Sequence, residues 1–214
     1  MTPLQQLAIL MTLLSSAAAA VPAAVSLTPP PVIPLKVPAA VWSIVHNLRL
    51  VNIPREWRRL NWVGNRGQGS CVHAAMVHLF HWQGQHAIAD RWQREHANGE
   101  TAEGLAVKLE RAGVQFAETR TGDESFLDWA IRTRRGAAVV VQDGAHMVNL
   151  VGLDQQHAHI LDSNSPAEIK KLPRETFLRD WKQSGGWAVT PAGTPPAPDP
   201  WIVKPSNPDA ITKE

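Results

Sequence analysis

The chain has 214 residues, of which 44% are hydrophobic and 19% charged, with a net charge of +2. That length suits one packed domain with extensions, and the nearly balanced charge excludes the strongly basic footprint of a nucleic-acid binder. A single cysteine, Cys71, excludes an internal disulfide and any zinc site built from several thiolates.

No charged side chain precedes Lys36. Leu7 to Leu14 (LAILMTLL) is an apolar run of the length of a signal-peptide h-region, and the small residues after it (SSAAAAVPAA) supply an A-x-A-type cleavage site. The competing reading is an uncleaved anchor, since about 19 weakly apolar residues ending near Val25 can just span a bilayer. Residues 1–25 are therefore expected to export the remainder to the periplasm or medium, or to tie it to a membrane. Residues 26–55 are proline-rich and read as an extended spacer. Residues 191–214 have the same character and read as a flexible tail. The packed domain is expected over 56–190.

Within it, helical patterning comes first. Cys71 to Trp82 (CVHAAMVHLFHW) sets Val72, Ala75, Met76, Leu79 and Phe80 on an i, i+3, i+4 stripe, the signature of an amphipathic helix. His86 to Ala97, Thr101 to Ala112 and Asp123 to Arg134 read as further helices, with Thr101 suited to a start and Gly113 and Gly136 to stops. Strand patterning follows in Ala137 to Gln142, His146 to Leu153 and His157 to Leu161, separated by turn formers at Asp143-Gly144 and Asp154-Gln155. Ala167 to Leu172 is expected to add a strand, Pro173 to Lys182 a helix with proline in its first turn, and Gly186 to Thr190 a last strand. Helices followed by an antiparallel sheet make an α+β domain.

The chemistry centres on Cys71. A thiol becomes a nucleophile only as the thiolate, and a helix N-terminus or a neighbouring imidazolium lowers its pKa. The breaker-rich Gly67-Gln68-Gly69-Ser70 places Cys71 at the first turn of its helix. There its backbone N–H is uncommitted and, with the Gln68 amide, can face an oxyanion. The run Gln68-Gly69-Ser70-Cys71 resembles the nucleophile segment of papain-like cysteine peptidases. His146-Met-Val-Asn-Leu-Val-Gly152 resembles their histidine strand. Ile160-Leu161-Asp162-Ser163 stands where they carry the residue that orients the histidine. An aspartate there is closest to the bacteriocin-processing, double-glycine peptidase branch, although Val72-His73 replaces the aromatic residue that commonly follows the papain nucleophile.

The resemblance implies a papain-like fold, with a helical half carrying the nucleophile packed on an antiparallel sheet half. It also implies a Cys71–His146–Asp162 triad with Gln68 as oxyanion donor, peptide or protein substrates, and no cofactor. Asn164 is the alternative third member. The protein is expected to act as a monomeric thiol peptidase. Other readings are a cell-wall amidase, a transglutaminase-like acyl transferase, or a non-catalytic peptide-binding module of the same fold.

Taken singly, Cys71 would be a packing cysteine, His146 a satisfied strand histidine, and Asp162 and Asn164 turn formers before Pro166; their order lifts them. His73, His78, His81 and His86 read as surface or packing histidines rather than a metal site, since the HExxH pattern is absent. Trp187, after Gly185-Gly186, is expected to line a cleft.

Overall fold

Val51 and Ile53, which fall in the expected spacer, are fully buried in the core. The computed structural model describes residues 51–197. The expected export or anchor segment, most of the spacer and most of the tail with Trp201 lie outside them. Among the described residues no helix is long and apolar enough to cross a membrane.

After a short 3-10 turn (Arg55–Trp57), the chain forms α1 (Cys71–Trp82), α2 (His86–Glu95), α3 (Ala102–Arg111), β1 (Phe116–Thr119) and α4 (Glu124–Arg132). It continues with β2 (Ala137–Val141), β3 (His146–Leu153), β4 (His157–Leu161), β5 (Ile169–Pro173), α5 (Arg174–Gln183) and β6 (Ala188–Pro191). The six strands make one sheet in the order β1-β6-β2-β3-β4-β5, and every pairing is antiparallel. The α+β architecture is the one expected.

α1 is not amphipathic. All twelve of its residues are buried, because α2, β2, β3 and β6 all pack against it. A helix wrapped in this way is apolar all round, with its polar residues paired internally. The Nδ1 of His73 accepts from the Trp92 indole at 3.3 Å, and His81 stacks on Trp57. His78 ties the helix to the sheet. The Arg59 N–H donates to its Nε2 at 2.6 Å, which leaves Nδ1 as the protonated nitrogen donating to Asn149 Oδ1 at 2.7 Å. Asn149 Nδ2 in turn donates to the Ala75 carbonyl at 2.9 Å. Among the described residues no group of three or more His, Cys, Asp or Glu side chains is placed to hold a metal ion.

β2 and β3 lie inside the sheet and are buried along almost their whole length, which explains their unbroken apolar runs. Asp143 and Gly144 do form a turn, but with Gln142 they make three successive left-handed residues (φ 57°, 54° and 86°), a conformation that only the glycine adopts without strain.

Five expectations shift. β1 was not foreseen, because its four half-buried residues (FAET) carry no alternation; pairing with β6 makes it a strand. The fifth strand runs Ile169–Pro173 rather than from Ala167, because the Ser165 N–H bonds back to the Asp162 carbonyl and turns the chain first. Pro173 ends that strand with extended dihedrals and stands just before α5 instead of in its first turn. Trp187 does not line the cleft that Cys71 and His146 share: it is buried in the core, with its indole N–H on Glu118. Pro191, placed in the expected tail, pairs with Phe116 in the sheet.

Candidate active site

Ser70 precedes α1 but does not cap it. Its hydroxyl accepts from the Asn98 N–H at 2.8 Å instead. The first helical bond runs from the Ala74 N–H to the Ser70 carbonyl, so the N–H groups of Cys71, Val72 and His73 have no carbonyl of the helix to bond and give this end its partial positive charge. The Cys71 sulfur sits there, where the backbone N–H groups of Met147 and Val72 favour its anion.

His146 opens β3. Its Nε2 donates to Asp162 Oδ1 at 2.9 Å, which leaves the other ring nitrogen for the Cys71 thiol, near enough for the two groups to shift each other's pKa. Asp162 follows β4 directly and is buried behind the ring. Its Oδ1 also takes the Asn164 N–H at 2.9 Å, and its Oδ2 takes Lys170 Nζ at 2.9 Å.

Asn164 lies beside the imidazole, but its Nδ2 is 3.5 Å from Nε2 and its Oδ1 accepts from Asn61 at 3.1 Å. Two donors facing each other make no productive bond, so the hydrogen-bond partner of Nε2 is Asp162. Cys71, His146, Gln68 and Asn164 line one cleft of about 730 Å³.

The electrostatics follow from these contacts. Burial pushes the Cys71 thiol up, but the bond to His146, the Met147 and Val72 N–H groups and the imidazolium charge outweigh it, and the thiol lies below its ordinary value. The bond to Cys71 is the main reason the His146 pKa is raised; burial opposes it and Asp162 reinforces it. Burial likewise pushes Asp162 up, yet the Asn164 N–H, His146 and Lys170 hold it below the usual carboxylate range. Thiolate and imidazolium therefore stabilise each other.

Two residues absent from the sequence reading hold this arrangement. Asn61 accepts from the Ser70 N–H at 2.7 Å, donates through its side chain to Asn164, and donates its backbone N–H to the Ser163 carbonyl at 2.7 Å. It thus joins the nucleophile end of α1 to the loop behind His146. Asn98 accepts from the Arg66 N–H and donates to Asn65, fastening the loop that carries Gln68. A Cβ at Gly64 would come 2.2 Å from Asn98 Oδ1, so only glycine fits beneath that clasp. The sequence signal for both was slight, since an asparagine in a loop reads as a turn former.

No protein-family model matches the chain, and no curated protein matches it. Solved structures do. A C39-like peptidase from Bacillus anthracis superposes with a TM-score of 0.51 at 13% identity, covering 67% of this chain and 98% of that one. The fold is that of a papain-like, C39-like peptidase. The peptidase domain of Streptococcus ComA, a bifunctional ABC transporter involved in a quorum-sensing pathway, gives a TM-score of 0.47 at 18% identity, over 64% of this chain and 99% of that one. A double-glycine-motif protease from an AMS/PCAT transporter, solved in complex with the leader peptide, gives 0.43 at 18% identity, over 63% and 94%. In this C39-like fold the expected Cys, His and Asp sit on α1, at the start of β3 and at the end of β4.

Proposed function

We propose that the protein is a thiol peptidase that hydrolyses peptide or amide bonds through Cys71, His146 and Asp162. The observation that carries this reading is the His146 ring, held by Asp162 on one nitrogen and lining the same cleft as Cys71, which sits at an uncapped helix N-terminus.

The Cys71 thiolate adds to the substrate carbonyl carbon, and the carbonyl π electrons move to oxygen. The Cys71 N–H and the Gln68 side-chain amide stabilise that oxyanion. Collapse of the tetrahedral species breaks the C–N bond, and His146 gives its proton to the departing amine, leaving a thioester on Cys71. Water then attacks the thioester as His146 takes its proton. The C–S bond breaks, and the free acid, thiolate and imidazolium are restored. Asp162 fixes the ring tautomer and stabilises its cation throughout.

A thiol-reactive peptide electrophile tests the reading. The full chain is expected to be labelled on Cys71 at neutral pH, with His146→Ala labelled at least about tenfold more slowly as thiolate is lost. Equal rates for the two would overturn an activated thiolate. Cleavage of unstructured peptides by wild type but not by Cys71→Ala would establish peptidase activity. Turnover confined to peptidoglycan stem peptides would move the assignment to a cell-wall amidase.

A further inference from the structure

Asp162 has a cation on the oxygen that points away from the histidine. Lys170, the second residue of β5, lies opposite Ile160 in the neighbouring strand and brings Nζ to 2.9 Å from Oδ2. Edge strands commonly carry lysines to discourage pairing with other chains, and β5 is an edge of this sheet. The exposed Lys171 already meets that need. Lys170 is instead half-buried and turned onto the carboxylate.

We propose that Lys170 is a positioning residue of the site: it acts through Asp162, keeping that carboxylate ionised where it is buried, so that it goes on supporting the His146 cation. This rests on the thiol-peptidase reading. Oδ1 already has two donors, the His146 ring and the Asn164 N–H, so the carboxylate is held in place without the lysine. What the lysine adds is a positive charge 2.9 Å from the outer oxygen of a carboxylate whose side chain is 12% exposed.

The titratable and charged groups around Asp162 are Cys71 from α1, His146 from β3 and Lys170 from β5. Arg58 reaches the carbonyls of Pro166 and Ala167 on the loop beyond. Removing the Lys170 charge makes the thiolate less stable and lets Asp162 protonate at higher pH. Both effects move the acid limb of reactivity upward.

The test is the rate of Cys71 alkylation by iodoacetamide as a function of pH, which needs no knowledge of the substrate. Lys170→Met and Lys170→Gln are each expected to raise the acid limb by about 0.5–1 pH unit, and Lys170→Arg to restore the wild-type limb. A merely structural lysine would lower rates or melting temperature with the limb unmoved, and that result would overturn the proposal. So would an equal shift in Lys170→Arg. A wild-type limb near the ordinary thiol value of about 8.5 would instead sink the thiol-peptidase reading itself, so the two failures are distinguishable.

Discussion

Asn61 shows how much of this site depends on residues that carry no chemistry of their own. Its three hydrogen bonds reach the N–H of Ser70, the side chain of Asn164 and the carbonyl of Ser163. They link the segment that presents the thiol to the one that presents the carboxylate. Asn61→Ala removes the two side-chain bonds and keeps the backbone one. We expect kcat/KM on a cleavable peptide to fall about tenfold, the equivalent of about 1.4 kcal/mol for one typical hydrogen bond and part of another. The fall should appear in kcat rather than KM if the residue sets geometry; a change in KM alone would mean that Asn61 contacts substrate directly. Cys71, His146 and Asp162 were legible only as a set, through their order along the chain and the papain-like segments they sit in, since each alone reads as a packing or turn residue. Asn61 and Asn98 were not, because an asparagine's partners are decided by which backbone groups the fold brings near it.

Among the elements, α1 and β3 matter most, since one carries the thiol and the other the imidazole. Their separation is fixed by the His78–Asn149–Ala75 chain of hydrogen bonds in the core. Asn149→Leu conserves volume but strands the His78 Nδ1–H, and leaving a buried donor unpaired costs about 1–3 kcal/mol. We expect a loss of that size in urea unfolding with the slope unchanged; a loss below about 0.5 kcal/mol would show that the clamp does not hold the two elements. The bounds of α1 and β3 were readable from hydrophobic period and β-branched content, and both match the expected residues. The environment of α1 was not readable, because its stripe of Val, Ala, Met, Leu and Phe is what either an amphipathic or a fully enclosed helix shows on its strongest face. Burial of its histidines depended on Trp57, Trp92 and Asn149 arriving from elsewhere.

For the molecule as a whole, those buried histidines make stability depend on acid. Burial is the main cause that lowers both His73 and His78 to about 4, against about 6.5 in an unfolded chain. Between those values the unfolded state binds more protons than the folded one, so stability rises with pH and is lost as pH falls from about 6.5 towards 4. Each histidine contributes a slope of up to about 1.4 kcal/mol per pH unit. Asp162 and Glu100, whose pKa values are also depressed in the folded state, add to the loss as pH falls through the carboxylate range. The urea midpoint of the full chain is expected to drop steeply over that window, and His78→Gln to flatten the dependence. A midpoint constant from pH 6.5 to 4.5 would contradict burial of neutral histidines.

By itself the sequence determined the class of fold and most of the element bounds, because periodicity is a local property of the chain, and its resemblance to papain-like segments singled out which thiol, imidazole and carboxylate to watch. Only the tertiary structure decided that Asp162 rather than Asn164 takes the His146 Nε2, that Lys170 occupies the far carboxylate oxygen, and that two asparagines fasten the loops around the cleft. Those outcomes depend on strand register and on contacts between residues as many as 103 positions apart, and no local pattern records which distant groups a fold will bring within 3 Å of one another.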